Sequence, residues 1–397
     1  MKIIIAGAYT IGTYLAQFLS RNKYNIILID EQEERLNKIG QDYDLLTLQG
    51  KPTSIQILQE ADVKHADLFI AVDPKETTNI TACTMAHHLG AKKTVAKIDN
   101  PEYLESKNQE LFKQLGVDSL IYPELLAAKD IINGLKMSWV RQRWDVRGGA
   151  LVMLGIKLRD TCAILDKPLR EISGPNDPYH IVAIKRRNET IIPGGNETLQ
   201  REDLAYFMTT KEYIPYVRKF TGKEHYVDVK NVMIMGGGRT AVRSVKIMPE
   251  YMDIKIIENS FDRCEYLNEI FDESVLVING DGRDTDLLIE EGIRHTQAFV
   301  ALTPNAETNI LACMAAKNLG VRKTIAAVEN FDYVDMAANL DIGTIINKRA
   351  IAAGYIYQML LDANVSNVRF LMSVDADVAE FIPVQGSRIT QKPIKDV

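Results

Sequence analysis

The chain is predicted to be α/β, with two duplicated, doubly wound parallel sheets each followed by a smaller α+β lobe, the second lobe cut short. Three observations predict this. The sequence repeats itself at a spacing of about 230 residues, each copy alternates strand-like and helix-like periodicity, and each copy opens with an apolar run that passes through glycine into a helix.

The repeat is clearest where residues 50–103 align with 280–333 without a gap, 20 of the 54 pairs being identical. Within it, residues 74–83 match 304–313 best. Upstream the offset falls to 229 and then 228, pairing Gly7 with Gly236, Gly12 with Ala241 and Asp30 with Glu258. Such slips are differences of loop length, and a unit this long is a whole domain and not a solenoid turn.

In the first copy, residues 2–6 form a buried strand, 11–21 a helix, 25–29 a strand and 33–41 a helix; residues 44–48, 68–72 and 94–98 continue as strands, with a helix at 79–89. This order predicts a parallel sheet with right-handed crossovers, and residues 231–328 repeat it. Helical stretches follow each copy at 125–139 and 349–362. Either could cross to another unit and pack there, or stay within its own core. Between the copies, short strands at 151–157, 181–186, 190–193 and 205–209 are separated by turn-forming residues at 174–178 and 194–196, which indicates a small β-rich lobe. The tail from 368 begins a similar pattern and stops after one strand. The expected segments are 1–123, a linking helix at 124–145, a lobe at 146–222, a second sheet at 229–348, a second linking helix at 349–366 and a partial lobe at 367–397.

Composition excludes several functions. With 397 residues, 46% of them hydrophobic, the chain buries sizeable cores; its net charge of −6 gives no general attraction to nucleic acid. The apolar start is too short for a secretory core, and no apolar run reaches the roughly 18 residues of a membrane helix. Cys83, Cys162, Cys264 and Cys313 are scattered without metal-binding spacing, and the adjacent His87 and His88 make a poor chelate on a helix. A cytoplasmic location and no metal site are expected.

The chemistry lies in the glycine loops. Gly7-Ala8-Tyr9-Thr10-Ile11-Gly12 follows the first strand, and Asp30 closes the second. This is a dinucleotide fingerprint with Tyr9 at the middle glycine position, where a side chain narrows the approach of phosphate to backbone. Gly236-Gly237-Gly238-Arg239-Thr240-Ala241 satisfies the G-x-G-x-x-A form, and Glu258 ends the next strand. Both acids are placed to accept ribose hydroxyls, favouring NAD or adenosine nucleotides over NADP, because a carboxylate repels a 2′-phosphate. Asp73-Pro74 and Thr303-Pro304 follow the fourth strands, at the edge where ligands sit; a simple turn also explains them. Lys97 is placed to reach a phosphate, whereas its repeat partner Ala327 is not. Arg239 either supplies that positive charge in the second loop or is merely solvated.

The paired Rossmann-like glycine loops, acidic strand ends and repeated D/T-P-x-x-x-T-N segments, separated by a β-rich lobe, resemble the TrkA family of Trk-system potassium uptake proteins over nearly the whole chain. The resemblance implies paired RCK/KTN domains, each with an N-terminal Rossmann lobe and a C-terminal lobe. It implies a cytoplasmic, nucleotide-binding gating subunit, a homo-oligomeric ring (dimer or tetramer) beneath a Trk-type membrane potassium channel or transporter subunit, and NAD(H), or else ATP or ADP, as ligand. It assigns Gly7, Ala8, Tyr9, Thr10, Ile11, Asp30, Asp73, Pro74 and Lys97 to the first site, and Gly236, Gly237, Gly238, Arg239, Thr240, Glu258, Thr303 and Pro304 to the second. The chain departs from the family in Tyr9, where many relatives have a small residue, and in its shortened second C-terminal lobe.

The competing reading is an NAD-dependent dehydrogenase using a His or Lys acid/base in the β-rich segment. Its only histidine there, His180, sits in a strand-forming run, and a dehydrogenase leaves the duplication unexplained. A nucleotide-responsive transcription regulator would need a helix-turn-helix and a basic face, which the sequence lacks.

Overall fold

The run Lys2–Ala6 is apolar at four successive positions because both faces of its strand are covered: Ile3, Ile4 and Ile5 are fully buried. In the computed structural model of the chain, which describes residues 1–21, 24–172, 174, 177–187, 189–360, 365–370 and 377–393, this strand is β1, near the centre of a six-stranded sheet. Its companions are β2 (Asn25–Asp30), β3 (Leu46–Gln49), β4 (Leu68–Ala71), β5 (Thr94–Lys97) and β6 (Ser119–Ile121), in the order β3-β2-β1-β4-β5-β6. Every neighbouring pair is parallel. The order reverses between β1 and β4, so the carboxyl ends of those strands open a crevice where ligands of such sheets bind.

An antiparallel sheet follows: β7 (Gln142–Val146), β8 (Leu151–Lys157), β9 (Tyr179–Arg186), β10 (Glu189–Ile191) and β11 (Leu204–Thr209), ordered β10-β9-β11-β8-β7. The second parallel sheet comprises β12 (Asn231–Met235), β13 (Asp253–Glu258), β14 (Val275–Asn279), β15 (Ala298–Ala301), β16 (Lys323–Ala327) and β17 (Thr344–Ile346). Its order, β14-β13-β12-β15-β16-β17, repeats the first. The fold is thus two doubly wound α/β units with a β-rich lobe between them in sequence.

Four strands exceed the sequence expectation. β6 and β17 have three residues each, too few to show a period, and β7 was expected to be helix-linker. The tail, expected to hold one strand, holds an antiparallel pair, β18 (Val365–Phe370) and β19 (Asp377–Phe381). Half-buried Val378 packs on the cluster of Trp144, Val146 and Met153, so this hairpin is fixed by its seat on the antiparallel sheet more than by its own alternation.

The chain divides into two compact units, and the linking helices are exchanged between them. Unit one is Met1–Leu126 with Arg349–Ala363, so the helix Lys348–Leu360, which follows the second copy, completes the first. Its Tyr357 meets Phe18 of the helix Thr10–Ser20 edge to face, with ring centroids 5.2 Å apart. Unit two takes Ala127–Lys348 and Asn364–Val397, so most of the helix Pro123–Leu135 belongs with the second sheet. At Gly134 the approach is close: a Cβ there would lie 3.3 Å from Cδ1 of Ile325 on β16. Beyond that helix, the Lys323 ammonium donates to the Val140 carbonyl at 2.7 Å and Thr344 Oγ1 donates to that of Arg141 at 2.6 Å, tying the crossing segment to the second sheet.

Candidate functional site

Each glycine loop begins with a residue in left-handed backbone, Gly7 at φ 103° and Gly236 at φ 97°. A side chain is excluded on two grounds: the conformation, and the strand-end segment alongside, since a Cβ would lie 2.9 Å from Asp73 N in the first loop and 3.1 Å from Thr303 N in the second. The two loops bond alike. Gly7 N donates to the Ile29 carbonyl and Gly236 N to that of Ile257, both at 2.8 Å. The next amide then turns to the acid: Ala8 N donates to Asp30 Oδ2 and Gly237 N to Glu258 Oε2, both at 2.7 Å.

The helices that follow, Thr10–Ser20 and Arg239–Lys246, start from Tyr9 and Gly238, and neither start has a side-chain cap. Nearby helices in unit two are capped by Ser260 and Asp284. A helix start whose first-turn N–H groups are not taken up by a cap presents them, with the positive end of its dipole, to an anion. In both copies that start lies at the carboxyl edge of the sheet, beside the acidic end of the second strand. Pyrophosphate at the first and ribose at the second is the arrangement these groups fit.

The acids are not equally available. Asp30 is only 3% exposed and accepts from Ala8 N, from Gln32 N at 2.9 Å and from Arg35 Nη1 at 3.3 Å. Of the roughly four lone-pair positions of a carboxylate, about one is left. Half-buried Glu258 accepts from Gly237 N and from Ser260 N at 2.9 Å, which leaves about two. Tyr9 accounts for part of the contrast. Its ring does not project over the loop unattended: the Arg35 guanidinium lies over it at 3.7 Å, and the same arginine reaches Asp30. Arg263, the repeat partner of Arg35, instead lies over Tyr266 at 4.4 Å and donates from Nε to the Gly237 carbonyl at 2.7 Å. Gly238, at the position of Tyr9, is exposed and a Cβ there would meet nothing within 4 Å.

The strand-end segments are organised by residues to which sequence reasoning gave no role. Buried Asn79 accepts from Asp73 N at 2.7 Å and donates to the carbonyls of Asp73 and Lys97, both at 2.9 Å. Asn309 does the same in unit two, accepting from Thr303 N at 3.1 Å and donating to the Thr303 and Ala327 carbonyls at 2.9 and 2.8 Å. The signal was present, because both asparagines lie inside the best-matched repeat segment. Pro74 and Pro304 are exposed in these turns. Lys97 is buried and its Nζ is 3.1 Å from Asp99 Oδ1, so its charge is already partly matched. Thr240 is buried in the first turn of its helix, as Ile11 is in the equivalent helix, and Arg239 is exposed.

Of the histidine and cysteines considered for chemistry, His180 is exposed on β9, and all four cysteines are buried and unbridged. Burial raises the Cys83 thiol and lifts that of Cys313 to about 12, so neither is a nucleophile. Among the described residues there is no cluster fit to hold a metal and no helix long and apolar enough to cross a membrane.

Comparison with known proteins agrees with this architecture. Residues 3–123 and 232–348 match the TrkA-N domain, and residues 153–222 match the TrkA-C domain. The Trk system potassium uptake protein TrkA of Halomonas elongata is 28% identical over all of this chain and 88% of its own length. Among solved structures, the GsuK RCK domain has a TM-score of 0.65 at 15% identity, over 93% of this chain and 79% of that one. A GsuK channel bound to NAD superposes with a TM-score of 0.64 at 16% identity, over 90% of this chain and 63% of that one.

Proposed function

The chain belongs to the TrkA family, and from that premise we propose that it is a nucleotide-binding regulatory subunit of a Trk-type potassium uptake system, acting at the cytoplasmic face on a membrane partner. The observation that bears most weight is the duplicated arrangement of an uncapped helix start beside a strand-end carboxylate. It suits a nucleotide with free ribose hydroxyls, NAD(H) first and ADP or ATP as the alternative, and it includes no group poised for chemistry. The identity of the Halomonas elongata relative as a potassium uptake protein supports the role, and the NAD in GsuK supports the ligand class.

On this reading the chain gates rather than catalyses. A bound nucleotide shifts a transport equilibrium only to the extent that it binds one state more tightly; moving a gate from 1:99 to 99:1 requires roughly a 10⁴-fold difference. A homo-oligomeric ring, dimer or tetramer, would let several such sites bias one pore.

Calorimetric titration of the purified chain with NADH, NAD, ADP and ATP, beside Asp30→Ala and Glu258→Ala, tests the reading. Saturable binding without turnover is expected, with Glu258→Ala weakening one class of site at least tenfold. Absence of binding by all four nucleotides would reduce both loops to structural turns.

A further inference from the structure

Unit two contains a cleft used by neither glycine loop. Its cavity volume is about 70 Å³, room for a charged group and not for a whole organic ligand, whose remainder would lie in the open mouth. Arg141, Lys157, Lys185 and Arg187 line it together with only two acids, Asp335 and Asp341.

The acids do not balance these cations. Asp341, held in left-handed backbone at φ 54°, already receives Arg141, Arg159 Nη2 at 2.5 Å and Lys317 Nζ at 2.9 Å. Against the upward pull of burial, these three cations keep its carboxyl ionised down to about 2. Glu202, the next acid along, pairs with Arg159 and lies 3.7 Å from Lys157. Lys185 and Arg187 have no acidic partner among the described residues. Close by are two further lysines, both buried and, among the described residues, without a carboxylate partner. Lys323 gives its protons to the Val140 carbonyl and to Thr344 Oγ1, and Lys223 lies 5.2 Å from the Tyr226 ring centroid. Burial, and then the charge of Arg141, lowers Lys323 to about 7; burial, with Arg159 and Arg141, lowers Lys223 to about 8. Like charges gathered in partly desolvated surroundings raise the free energy of the empty site, and an anion placed among them recovers it.

We propose that this cleft binds a phosphate-bearing small molecule, with the phosphate charge held by Lys157, Lys185 and Arg187 beside the Arg141–Asp341 pair. A single carboxylate would match one of these cations and leave the others as they are, whereas a di- or trianion matches the surplus. Leu204 and Ile345, also in the lining, give an organic portion an apolar wall. The two sides of the cleft come from the antiparallel sheet and from the segment around Asp341 that leads into β17. An occupant bridges the β-rich lobe and the second nucleotide-binding sheet, so its binding stiffens unit two as a whole.

The test uses inorganic pyrophosphate and ADP as probes, titrated calorimetrically into the full chain in excess NADH, beside the double variant Lys185→Glu with Arg187→Glu. These side chains are not buried, so the variant should keep its fold, and an unchanged thermal transition verifies that. The expected result is pyrophosphate binding that weakens at least tenfold in the double variant and falls with salt. ADP binding tighter than pyrophosphate, and equally sensitive to the variant, would identify a nucleotide as the occupant; pyrophosphate alone would identify an inorganic one. Equal isotherms for the two proteins, or no pyrophosphate binding by the parent chain, overturn the proposal. If NADH leaves the glycine loops empty, pyrophosphate bound there is insensitive to Lys185 and Arg187, so the failures of the two readings are distinguishable.

Discussion

The first and second glycine loops share their backbone and differ in their side chains. Each has a left-handed glycine, an amide 2.7 Å from the strand-end acid and an asparagine clamp behind the neighbouring turn. Around that common frame the first copy places Tyr9, Arg35 and a nearly saturated Asp30, and the second an open Gly238 and a half-buried Glu258. Duplication has kept what holds the loop in shape and released what meets a ligand. The frame answers to packing and hydrogen bonding, which tolerate little; the rim answers to whatever binds, and two rims can serve two ligands.

The largest effect that separates the copies should come from Gly12. A Cβ there would overlap the Gly7 carbonyl oxygen, whereas the second copy has Ala241 at that position. Gly12→Ala should destabilise unit one by about 3 kcal/mol, the upper end of overpacking costs, and Ala241→Gly should cost unit two only about 1 kcal/mol. Urea unfolding followed by limited proteolysis measures both. Similar losses at the two positions would contradict the difference in loop closure. The asparagine clamps should instead behave alike. Asn79→Ala and Asn309→Ala each strand buried or half-buried backbone groups and should each cost about 2 kcal/mol, read by hydrogen exchange of the amides that follow β4 and β15. A discrepancy above 1 kcal/mol would show that the frames are not equivalent.

A smaller contrast lies in pH dependence. Lys323 is buried, whereas its repeat partner Lys93 is exposed. Because burial lowers the Lys323 ammonium from 10.5 to about 7, the unfolded chain binds more protons across that interval. Its destabilising effect is therefore complete below about pH 7 and is relieved as pH rises towards 10.5, so unit two gains stability over that window. Urea midpoints from pH 6.5 to 9.5 should rise less in Lys323→Met than in the parent, with Lys93→Met as the control. Parallel profiles would show that Lys323 stays charged throughout.

Much of this could be read from residues alone, and the exceptions have physical causes. β1 and β4 declare themselves as buried apolar runs, and the glycine loops by what only glycine permits. Arg35 carries no signal of its own because Glu33-Glu34-Arg35 reads as the solvated face of a helix; its repeat partner Arg263 is the available hint. Strands of three residues, such as β6, are too short for any period, and β19 takes its place from pairing and from the seat of Val378. The exchange of the linking helices was legible only as one of two alternatives. An apolar stripe such as Ala350, Ala353 and Ile356 says that a helix is covered, and the pattern is the same whichever sheet does the covering.

That exchange also sets the order of events at the ribosome. The first sheet is complete in sequence by Leu126, yet the helix that finishes its unit begins more than two hundred residues later. At roughly 5–20 residues per second, the face that this helix will cover waits on the order of ten to forty seconds as the chain emerges. Nascent unit one is thus born unfinished, with an apolar surface open to chaperones or to its own neighbours on a polysome. A chain released before Arg349 would leave both copies synthesised almost in full and the first still without its closing piece.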